Sequence, residues 1–471
     1  MARTPTAGAM DPSLRRMLVP LALAQFICSF AGSNMNVMIN DISKDLDTSV
    51  KGVQTAITIF LLVMAALMIP GGKLTVRWGR KRCFTLGLTI YAVGAVMSAL
   101  SPRLGVLILG NSILEGVGTA MLIPPVYILT TLFFGEVTSR ARAFGAISGM
   151  GGIGAAAGPL LGGLITTAIS WRAAFVFQAL VIVVIVLLSR KIKDPLPPDP
   201  TSRPDTLGVL LSAAGLVMVV MGIQLASRNL WWTLALVLAG ALVLAWFFVH
   251  VRRRERAGRE PLLSTALFRN RTSNLGLVTQ NAQWLLLLGT AFVVSAYLQV
   301  VRGYNAIQTG VIFTAATVGI LLSSIGAERF AKRRAQRTLI LAGFVTTLVG
   351  IGILVAMVAA AQSVWAFAPG LFFIGFGCGA MLTPSVNVVQ SSFPERQQGE
   401  ISGLSRAVSN LGSTFGTAIA GTVLVAEILE GNKNYGLSMI VLGVAGLVGL
   451  IAALFLPGHL TVARSESAPA P

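Results

Sequence analysis

The sequence predicts an all-α integral membrane protein with the architecture of two six-helix bundles plus two inserted helices. Of its 471 residues, 55% are apolar and only 11% are charged, whereas a soluble domain carries about 25% charged residues. The mean hydropathy is +0.79. Apolar stretches long enough to cross a bilayer, about 20 residues each, recur along the whole chain. A soluble globular protein is thereby excluded.

Fourteen transmembrane spans are predicted from these apolar stretches. They cover residues 17–40, 52–74, 83–101, 104–132, 141–168, 171–189, 206–226, 230–250, 273–299, 306–326, 338–359, 365–388, 400–428 and 436–456. The predicted division is a cytoplasmic N-terminus (1–16), a six-helix bundle (17–189), a linker (190–205), two inserted helices (206–250), a basic loop (251–272), a second six-helix bundle (273–456) and a cytoplasmic tail (457–471).

An internal repeat supports this division into six, two and six spans. Residues 120–124, Ala-Met-Leu-Ile-Pro, in span four match residues 380–384, Ala-Met-Leu-Thr-Pro, in span twelve. Eight spans separate the two segments, so each half holds six spans only if two were inserted. Duplicated helical bundles are a common plan of transporters, with the substrate cavity between the halves.

The basic residues predict the orientation in the membrane. The chain has 36 Lys and Arg against 17 Asp and Glu, an excess that in a soluble protein suggests nucleic acid. Most of them fall in alternate loops, for example at 77–82, 252–254 and 332–334, and such basic loops stay in the cytoplasm. The charge therefore indicates topology and no nucleic-acid partner. We expect a multi-pass protein of the cell (inner) membrane with both termini cytoplasmic.

Glu115 is the acidic residue that falls deep in a predicted span. Eleven residues from Leu104 place it about 16 Å into the membrane, near the midplane. Intramembrane ionisable residues are costly and by default functional candidates. Glu115 can carry a proton across or pair with a cation, and both uses suit an exchanger. The competing interpretation is a protonated group that only hydrogen-bonds a neighbouring helix.

Polar residues in three other spans are candidates for the substrate cavity. Span one carries Gln25, Ser29, Ser33, Asn36 and Asn40 at helical spacing, which predicts one polar face. Span nine carries Gln280, Asn281, Gln283 and Trp284, with the indole as an aromatic wall for a ligand. Span thirteen carries Arg406, with Asn410 one turn on. Each group lines a cavity or makes interhelical hydrogen bonds worth about 0.6 kcal/mol, and the sequence leaves both alternatives open.

Span five contains the most specific pattern in the chain. In GMGGIGAAAGPLLGGL, Gly149 stands nine residues before Gly158-Pro159-Leu160-Leu161-Gly162-Gly163. Small residues let helix backbones approach closely, and Pro159 removes a helix hydrogen bond. Close packing explains small residues but does not require Gly-Pro-x-x-Gly-Gly at this distance from another glycine.

The glycine pattern resembles the antiporter motif of the major facilitator superfamily, in particular its fourteen-span drug:proton antiporter branch. Residues 72–81 resemble the cytoplasmic gating loop of the superfamily, with Gly72, Arg77, Gly79, Arg80 and Lys81 as the matching residues. Asn36-Val37 with Asp45-Leu46, Trp171-Arg172 and Tyr297-Leu298-Gln299 are similar to further segments of the branch. The resemblance covers about residues 17 to 456 and implies multidrug efflux, with antibiotic resistance, by alternating access in a bacterial membrane.

Three positions depart from the family pattern. Val76 stands where the gating loop of the family usually has an acidic residue. Ala31 stands where the first helix has an aspartate, and Ser112 where the fourth helix has an arginine. In the family the last two are tied to proton coupling. Because Glu115 stands where the family usually has glutamine before Gly116, we infer that the coupling carboxylate has moved to span four.

The resemblance and the departures together give a functional hypothesis. A lipophilic, cationic compound is expected to bind near Glu115, Gln280 and Trp284, and protonation of Glu115 from outside is expected to release it. Proton and substrate then compete for one charge. The expected partners are a small-molecule substrate, protons and the lipid bilayer. The protein is expected to be a monomer without cofactor or metal.

Other classes of function are weighed against this hypothesis. Export of one specific metabolite, antibiotic or lipid, with weak or no proton coupling, is the main alternative, because the usual aspartate and arginine are missing. Catalysis needs convergent acid, base, nucleophile or metal ligands, and the two histidines and three cysteines are scattered singly. The chain is therefore not expected to be an enzyme. A ligand-binding sensor without net flux stays open.

Overall fold

The computed structural model describes residues 12–134, 137–198, 205–226, 229–331, 336–360, 363–393, 398–426, 428–429 and 432–458. All regular elements within these ranges are helices. Thirteen of them are long and apolar enough to cross a membrane, and the bent helix of span five makes a fourteenth. The predicted number of spans is confirmed. Most of the predicted N-terminal segment and of the C-terminal tail lie outside the described residues.

The first six spans form the N-terminal bundle. Span one is Pro12–Asn34, span two Val50–Trp78, span three Arg80–Ala99, span four Leu104–Phe133, span five Val137–Ala168 and span six Trp171–Ser189. Polar residues cap the helix starts: the Ser49 hydroxyl accepts from the Gly52 amide, and the Ser170 hydroxyl from the Ala173 amide. Each of these caps satisfies an amide that the helix itself leaves free.

The two inserted spans and the C-terminal bundle follow. Span seven is Thr206–Leu225 and span eight Leu230–Arg256. Span nine is Arg271–Val301, span ten Ala306–Ala331, span eleven Gln336–Ala360, span twelve Ala368–Gln390, span thirteen Gln398–Ala426 and span fourteen Lys433–Leu454. Short 3₁₀ helices, Thr265–Arg269 and Val364–Phe367, precede spans nine and twelve.

The two bundles repeat the same helix contacts. Span one packs along span five, and the corresponding spans of the second bundle, nine and thirteen, pack in the same way. Spans three and four form another such pair, which corresponds to spans eleven and twelve. Gly71 lies directly against the backbone carbonyl of Ala120, and Gly375 lies against that of Ala316. Glycine at these positions lets two helix backbones touch. The duplication inferred from the repeat is therefore present in the packing.

The most extensive contacts between the halves come from four spans. Span two packs along span thirteen, and span five packs along span ten. The inserted span seven contacts spans two and thirteen from outside. There the Thr55 hydroxyl lies 3.4 Å from the Gln224 side-chain oxygen, and the Thr422 hydroxyl donates to the Ile223 carbonyl at 3.0 Å. Span seven thus touches both halves.

Asp205 fastens the inserted pair to the loop that follows it. Its carboxylate lies 2.8 Å from His250 Nε2 and 3.6 Å from Arg254 Nε, and accepts from the Leu262 amide at 3.2 Å. Burial alone raises the pKa of Asp205. The hydrogen bonds from His250, Gly208 and Leu262 outweigh that effect and hold the pKa below its usual value.

Several spans depart from a straight α-helix. Span one continues as a 3₁₀ turn, Met35–Met38, and a short helix, Ile39–Asp45. The single continuous polar face predicted through Asn36 and Asn40 is therefore wrong beyond Asn34, since the helical period changes there. Span four contains a π-helical segment, Ile108–Glu115. Span five bends by 40°, next to Pro159, which lacks the amide that would bond the carbonyl four residues before it.

Candidate transport site

A chain of hydrogen bonds joins the two halves inside the membrane. The Arg406 guanidinium on span thirteen donates to the Tyr127 hydroxyl on span four and lies 5.0 Å from the centre of its ring. The Tyr127 hydroxyl donates to Gln25 Oε1 on span one at 3.2 Å, and Gln25 Nε2 donates to the Ser29 hydroxyl at 3.1 Å. The predicted cavity residues Gln25, Ser29 and Arg406 are thus brought together.

This cluster lies toward one face of the membrane. We call this face of the membrane the basic face. On it span two joins span three, span six joins span seven and span eight joins span nine. Eight residues of helix separate Arg406 from the start of span thirteen, which is about 12 Å, and six separate Tyr127 from the end of span four, about 9 Å. Tyr127 was not predicted, although it stands three residues after Pro124 of the internal repeat.

The polar residues of span nine make contacts within the C-terminal half. Gln280 Oε1 accepts from the Ser405 hydroxyl at 2.8 Å. Asn281 Nδ2 donates to the Val408 carbonyl at 3.0 Å, and Gln283 Nε2 donates to the Cys378 carbonyl at 2.9 Å. These bonds join span nine to spans twelve and thirteen. They are interhelical hydrogen bonds, one of the two interpretations that the sequence leaves open for these residues. Trp284 is half-buried.

Three of the polar residues predicted for span one contact other helices. Ser33 is buried against Gly158 of span five, and its hydroxyl donates to the Phe30 carbonyl at 3.2 Å. The Asn36 carbonyl accepts from Gln299 Nε2 at 2.7 Å, and Gln299 Oε1 accepts from the Asn40 amide at 3.0 Å. Spans one and nine are therefore joined at the face opposite the basic face.

The glycine pattern of span five allows further close contacts at the face opposite the basic face. Gly162 packs on Asn34 of span one, and Gly163 lies against the Ala306 carbonyl of span ten. Gly310 of span ten lies against the Pro159 carbonyl in return. Gly149 has no heavy atom within 4 Å of its Cβ position. Side chains at positions 162 and 163 would hold the helices apart, so these glycines set the approach of the two halves.

A third contact at this face joins segments far apart in the sequence. The Asp45 carboxylate accepts from Trp171 Nε1 at 3.0 Å and from the Arg172 guanidinium. Arg172 also donates to the Ser101 carbonyl at 2.9 Å. Asp45-Leu46 and Trp171-Arg172, which resemble two separate segments of the family, thus lie in one cluster.

The junction of spans two and three is contacted by a carboxylate from the linker, that of Asp194. Asp194 Oδ2 accepts from the backbone amides of Arg80 at 2.6 Å and Lys81 at 3.3 Å. Gly79, with φ +97°, brings the chain to this position, where its Cβ would lie 3.1 Å from the same oxygen. The start of span three is thereby capped. Asp194 supplies a carboxylate where Val76 replaces the acidic residue usual in the family, and no local pattern in the sequence indicates this contact.

Other residues of the loop face different neighbours. Gly72 packs on Pro124 of span four, and Arg77 lines a surface groove beside Lys81. Lys73 crosses to the other half, where its Nζ lies 2.8 Å from the Glu400 carboxylate of span thirteen. This ion pair links the halves at the basic face.

Glu115 lies inside the N-terminal half, between spans three and four, and has no exposed area. Ser98 Oγ donates to Oε1 at 3.4 Å, and Asn111 Nδ2 donates to Oε2 at 3.2 Å. Gly94 packs on its side chain. Among the described residues no Lys, Arg or His pairs with Glu115. Glu115 and Gln280 therefore have separate sets of neighbours, in contrast to the shared site expected from the sequence.

Two six-helix halves, related by a repeat and joined by contacts at both faces, form an architecture that is common among membrane transporters. The Major Facilitator Superfamily model matches the chain over residues 21–250, 206–417 and 282–470. The chain belongs to this superfamily, and it is a multi-pass transporter, not an enzyme.

Relatives and solved structures agree with this class. The puromycin resistance protein pur8 of Streptomyces alboniger is 28% identical over 442 residues, 92% of this chain and 86% of the relative. The multidrug efflux pump LfrA of Mycolicibacterium smegmatis is 26% identical over 426 residues, 90% of this chain and 82% of the relative. The crystal structure of the peptide transporter POT with sulfate has a TM-score of 0.68 at 16% identity and covers 94% of this chain and 93% of that one. The last similarity concerns the fold.

Proposed function

We propose that this protein exports lipophilic drugs or toxic compounds by proton antiport through alternating access, as a member of the fourteen-span drug:proton antiporter branch. The observation that carries the proposal is the pair of six-helix halves with inward-pointing polar groups, in a chain whose relatives include named efflux pumps and antibiotic resistance proteins. The basic face is cytoplasmic in this proposal, and the protein works as a monomer in the bacterial cell (inner) membrane.

Alternating access requires contacts that can open at each face in turn. At the face opposite the basic face, the bonds of Gln299 to span one and the glycine contacts of span five are such contacts. At the basic face the ion pair of Lys73 with Glu400 serves the same purpose. These two sets are made by different residues, so one can open while the other holds.

Proton coupling is assigned to Glu115. It is a carboxyl group within a span, without a cationic neighbour among the described residues, and with hydrogen bonds from Ser98 and Asn111. An uncompensated charge in the membrane opposes rocking of the two halves, and a bound proton removes it. The proton site is therefore separate from the substrate cavity in this proposal.

A positive charge on the substrate is not part of this proposal. The expectation of such a charge depended on a carboxylate facing the compound, and Glu115 faces Ser98 and Asn111 with no exposed area. Among the described residues, Arg406 is a charged group between the halves that forms no ion pair. We therefore retain the lipophilic body of the compound and drop the requirement for a cation.

Proteoliposomes with an imposed pH gradient test the proposal. Uptake of a lipophilic dye and of a neutral drug is measured for wild type, Glu115→Gln and the exposed control Asp47→Asn. We expect gradient-driven flux in wild type and control, and loss of the gradient dependence in Glu115→Gln. Gradient-driven flux that is unchanged in Glu115→Gln contradicts the assignment of the coupling site. Absence of flux from wild type contradicts export.

A second candidate is export of one specific metabolite, antibiotic or lipid with weak or no proton coupling. Ala31 and Ser112 favour it, because the family has an aspartate and an arginine at these positions; here the Ser112 hydroxyl instead donates to the Ala56 carbonyl at 2.7 Å. Competition experiments separate the two candidates. Mutual inhibition among chemically unrelated compounds supports the multidrug exporter, whereas uptake of a single compound without inhibition by others supports the specific one.

A further inference from the structure

Arg406 is a cation inside the membrane without an anionic partner. Among the described residues no carboxylate pairs with it, and it donates a hydrogen bond to the Tyr127 hydroxyl. Charged residues within spans are expensive, and they usually pair with an opposite charge or mark the path of a substrate. Glu115, a carboxyl group inside the N-terminal half, is held by Ser98 and Asn111. An internal counter-charge is therefore not supplied by the described residues.

The guanidinium retains most of its capacity to bind. Arginine has five N–H donors, and with the described residues the Arg406 guanidinium forms one hydrogen bond, to Tyr127. The Arg406 side chain is half-buried, at the contact between the two halves. The planar fork of an arginine matches an oxyanion such as a carboxylate in a bidentate manner. The unused donors thus have a defined geometric preference.

A second donor without a partner lies on the same helix face. Asn410 is four residues after Arg406, one turn along span thirteen, and its Nδ2 is buried with no hydrogen-bond partner among the described residues. A buried amide that stays unpaired costs about 1 to 3 kcal/mol. The Tyr127 hydroxyl already donates to Gln25. The site therefore presents unused donors from span thirteen and no carboxylate.

We propose that Arg406 and Asn410 form a binding site for an oxyanion of the transported compound, so that the exporter takes lipophilic acids. This inference rests on the proposed export function and adds the chemical class of the substrate. The lipophilic body of the compound lies along the apolar walls between the halves, and its carboxylate pairs with the guanidinium. Because Arg406 belongs to one half and Tyr127 to the other, the ligand sits where the halves separate.

Equilibrium binding tests the proposal without any gradient. Purified protein in phosphatidylcholine nanodiscs is dialysed at neutral pH against naphthoate, naphthamide or naphthylmethylammonium, with empty nanodiscs subtracted. The three probes share one aromatic body and differ in charge. Wild type is expected to bind naphthoate at least tenfold more tightly than either of the others.

Variants assign this preference to Arg406. Arg406→Gln is expected to remove the preference for naphthoate, and Arg406→Lys to keep part of it because the charge stays but the planar fork is lost. The control Arg103→Gln removes one charge at an exposed position and is expected to behave as wild type. A melting curve for each variant establishes that it is folded.

The outcomes separate this proposal from the proposed function. Equal binding of naphthoate and naphthamide by wild type overturns the oxyanion site, and this result needs no variant. A naphthoate preference that survives in folded Arg406→Gln also overturns it. Neither result touches proton antiport, which the flux measurement with Glu115→Gln decides. Conversely, a naphthoate preference that Arg406→Gln removes supports the site even where flux is absent.

Discussion

Arg406 of span thirteen and Tyr127 of span four are joined by a hydrogen bond across the boundary between the two halves. The Tyr127 hydroxyl accepts a hydrogen bond from the guanidinium and donates one to Gln25 Oε1 of span one. Three spans thus converge on one hydroxyl. Any movement that separates the halves at the basic face must break the bond between Arg406 and Tyr127, so substrate entry and the exposure of this guanidinium are coupled.

Gln25→Glu tests how this cluster treats a negative charge. Gln25 and Arg406 bond to the same hydroxyl, so a glutamate at position 25 places a carboxylate beside the guanidinium. It is expected to pair with Arg406 and to lower naphthoate affinity at least tenfold, measured by the same dialysis. Gln308→Glu, which adds the same charge at an exposed position, is expected to leave the affinity unchanged. Unaltered naphthoate binding in Gln25→Glu contradicts the oxyanion site.

The second prediction concerns the contact of spans five and ten. A Cβ at position 163 meets the Ala306 carbonyl, so Gly163→Ala forces these helices apart. We expect a loss of about 1 to 3 kcal/mol in the stability of this closed contact, seen as slower flux in proteoliposomes and a lower melting temperature. Gly152→Ala is the matched control on the same helix, because its Cβ has no heavy atom within 4 Å. Equal effects of both substitutions contradict the prediction.

The sequence predicts the course of the spans well and the contacts between them poorly. Apolar length and loop charge are local properties, so the bounds of Trp171–Ser189 follow directly from the residues. Asp194 caps the start of span three from 114 residues away, and a loop pattern that contains Val76 gives no indication of where the missing carboxylate is replaced. Periodicity in span one likewise fails at Met35–Met38, where the chain adopts a 3₁₀ turn.

The same limit applies to the candidate site. Glu115 was correctly located in a span, but depth along a helix does not indicate which side of the helix it faces, and its neighbours are Ser98 and Asn111. Tyr127 was not predicted because a tyrosine in an apolar span is an ordinary core residue. Its role depends on Arg406, 279 residues later in the chain. Tertiary partners of this kind are not encoded in local spacing.

The ion pair of Lys73 and Glu400 gives a third prediction. The two side chains are 28% and 34% exposed, and exposed pairs contribute about 0 to 1 kcal/mol. Glu400→Gln is therefore expected to change the flux by no more than about fivefold. Lys73→Glu puts two like charges together and is expected to slow flux further, whereas the double variant Lys73→Glu with Glu400→Lys recovers most of it. A double variant no better than Lys73→Glu indicates that the pair does not link the halves during transport.

Asp205 makes the stability of the inserted helices depend on pH. Hydrogen bonds from His250, Gly208 and Leu262 hold its pKa below the usual value despite burial. A carboxyl group with a lowered folded-state pKa stabilises the protein above its unfolded-state pKa, about 3.9, and this contribution is lost as the pH falls through the folded-state pKa. The contribution is therefore fully present at neutral pH.

Asp205→Asn keeps the shape of the side chain and removes its charge. Charged hydrogen bonds contribute about 1.5 to 3 kcal/mol, so we expect a lower melting temperature than wild type at neutral pH. The difference is expected to shrink as the pH falls below about 4, because the wild-type carboxylate is then protonated as well. Melting curves across this pH range, with the exposed control Asp47→Asn, measure the effect. A melting-temperature difference that stays constant down to the acidic end contradicts the role assigned to the Asp205 charge, since it would then arise from packing alone.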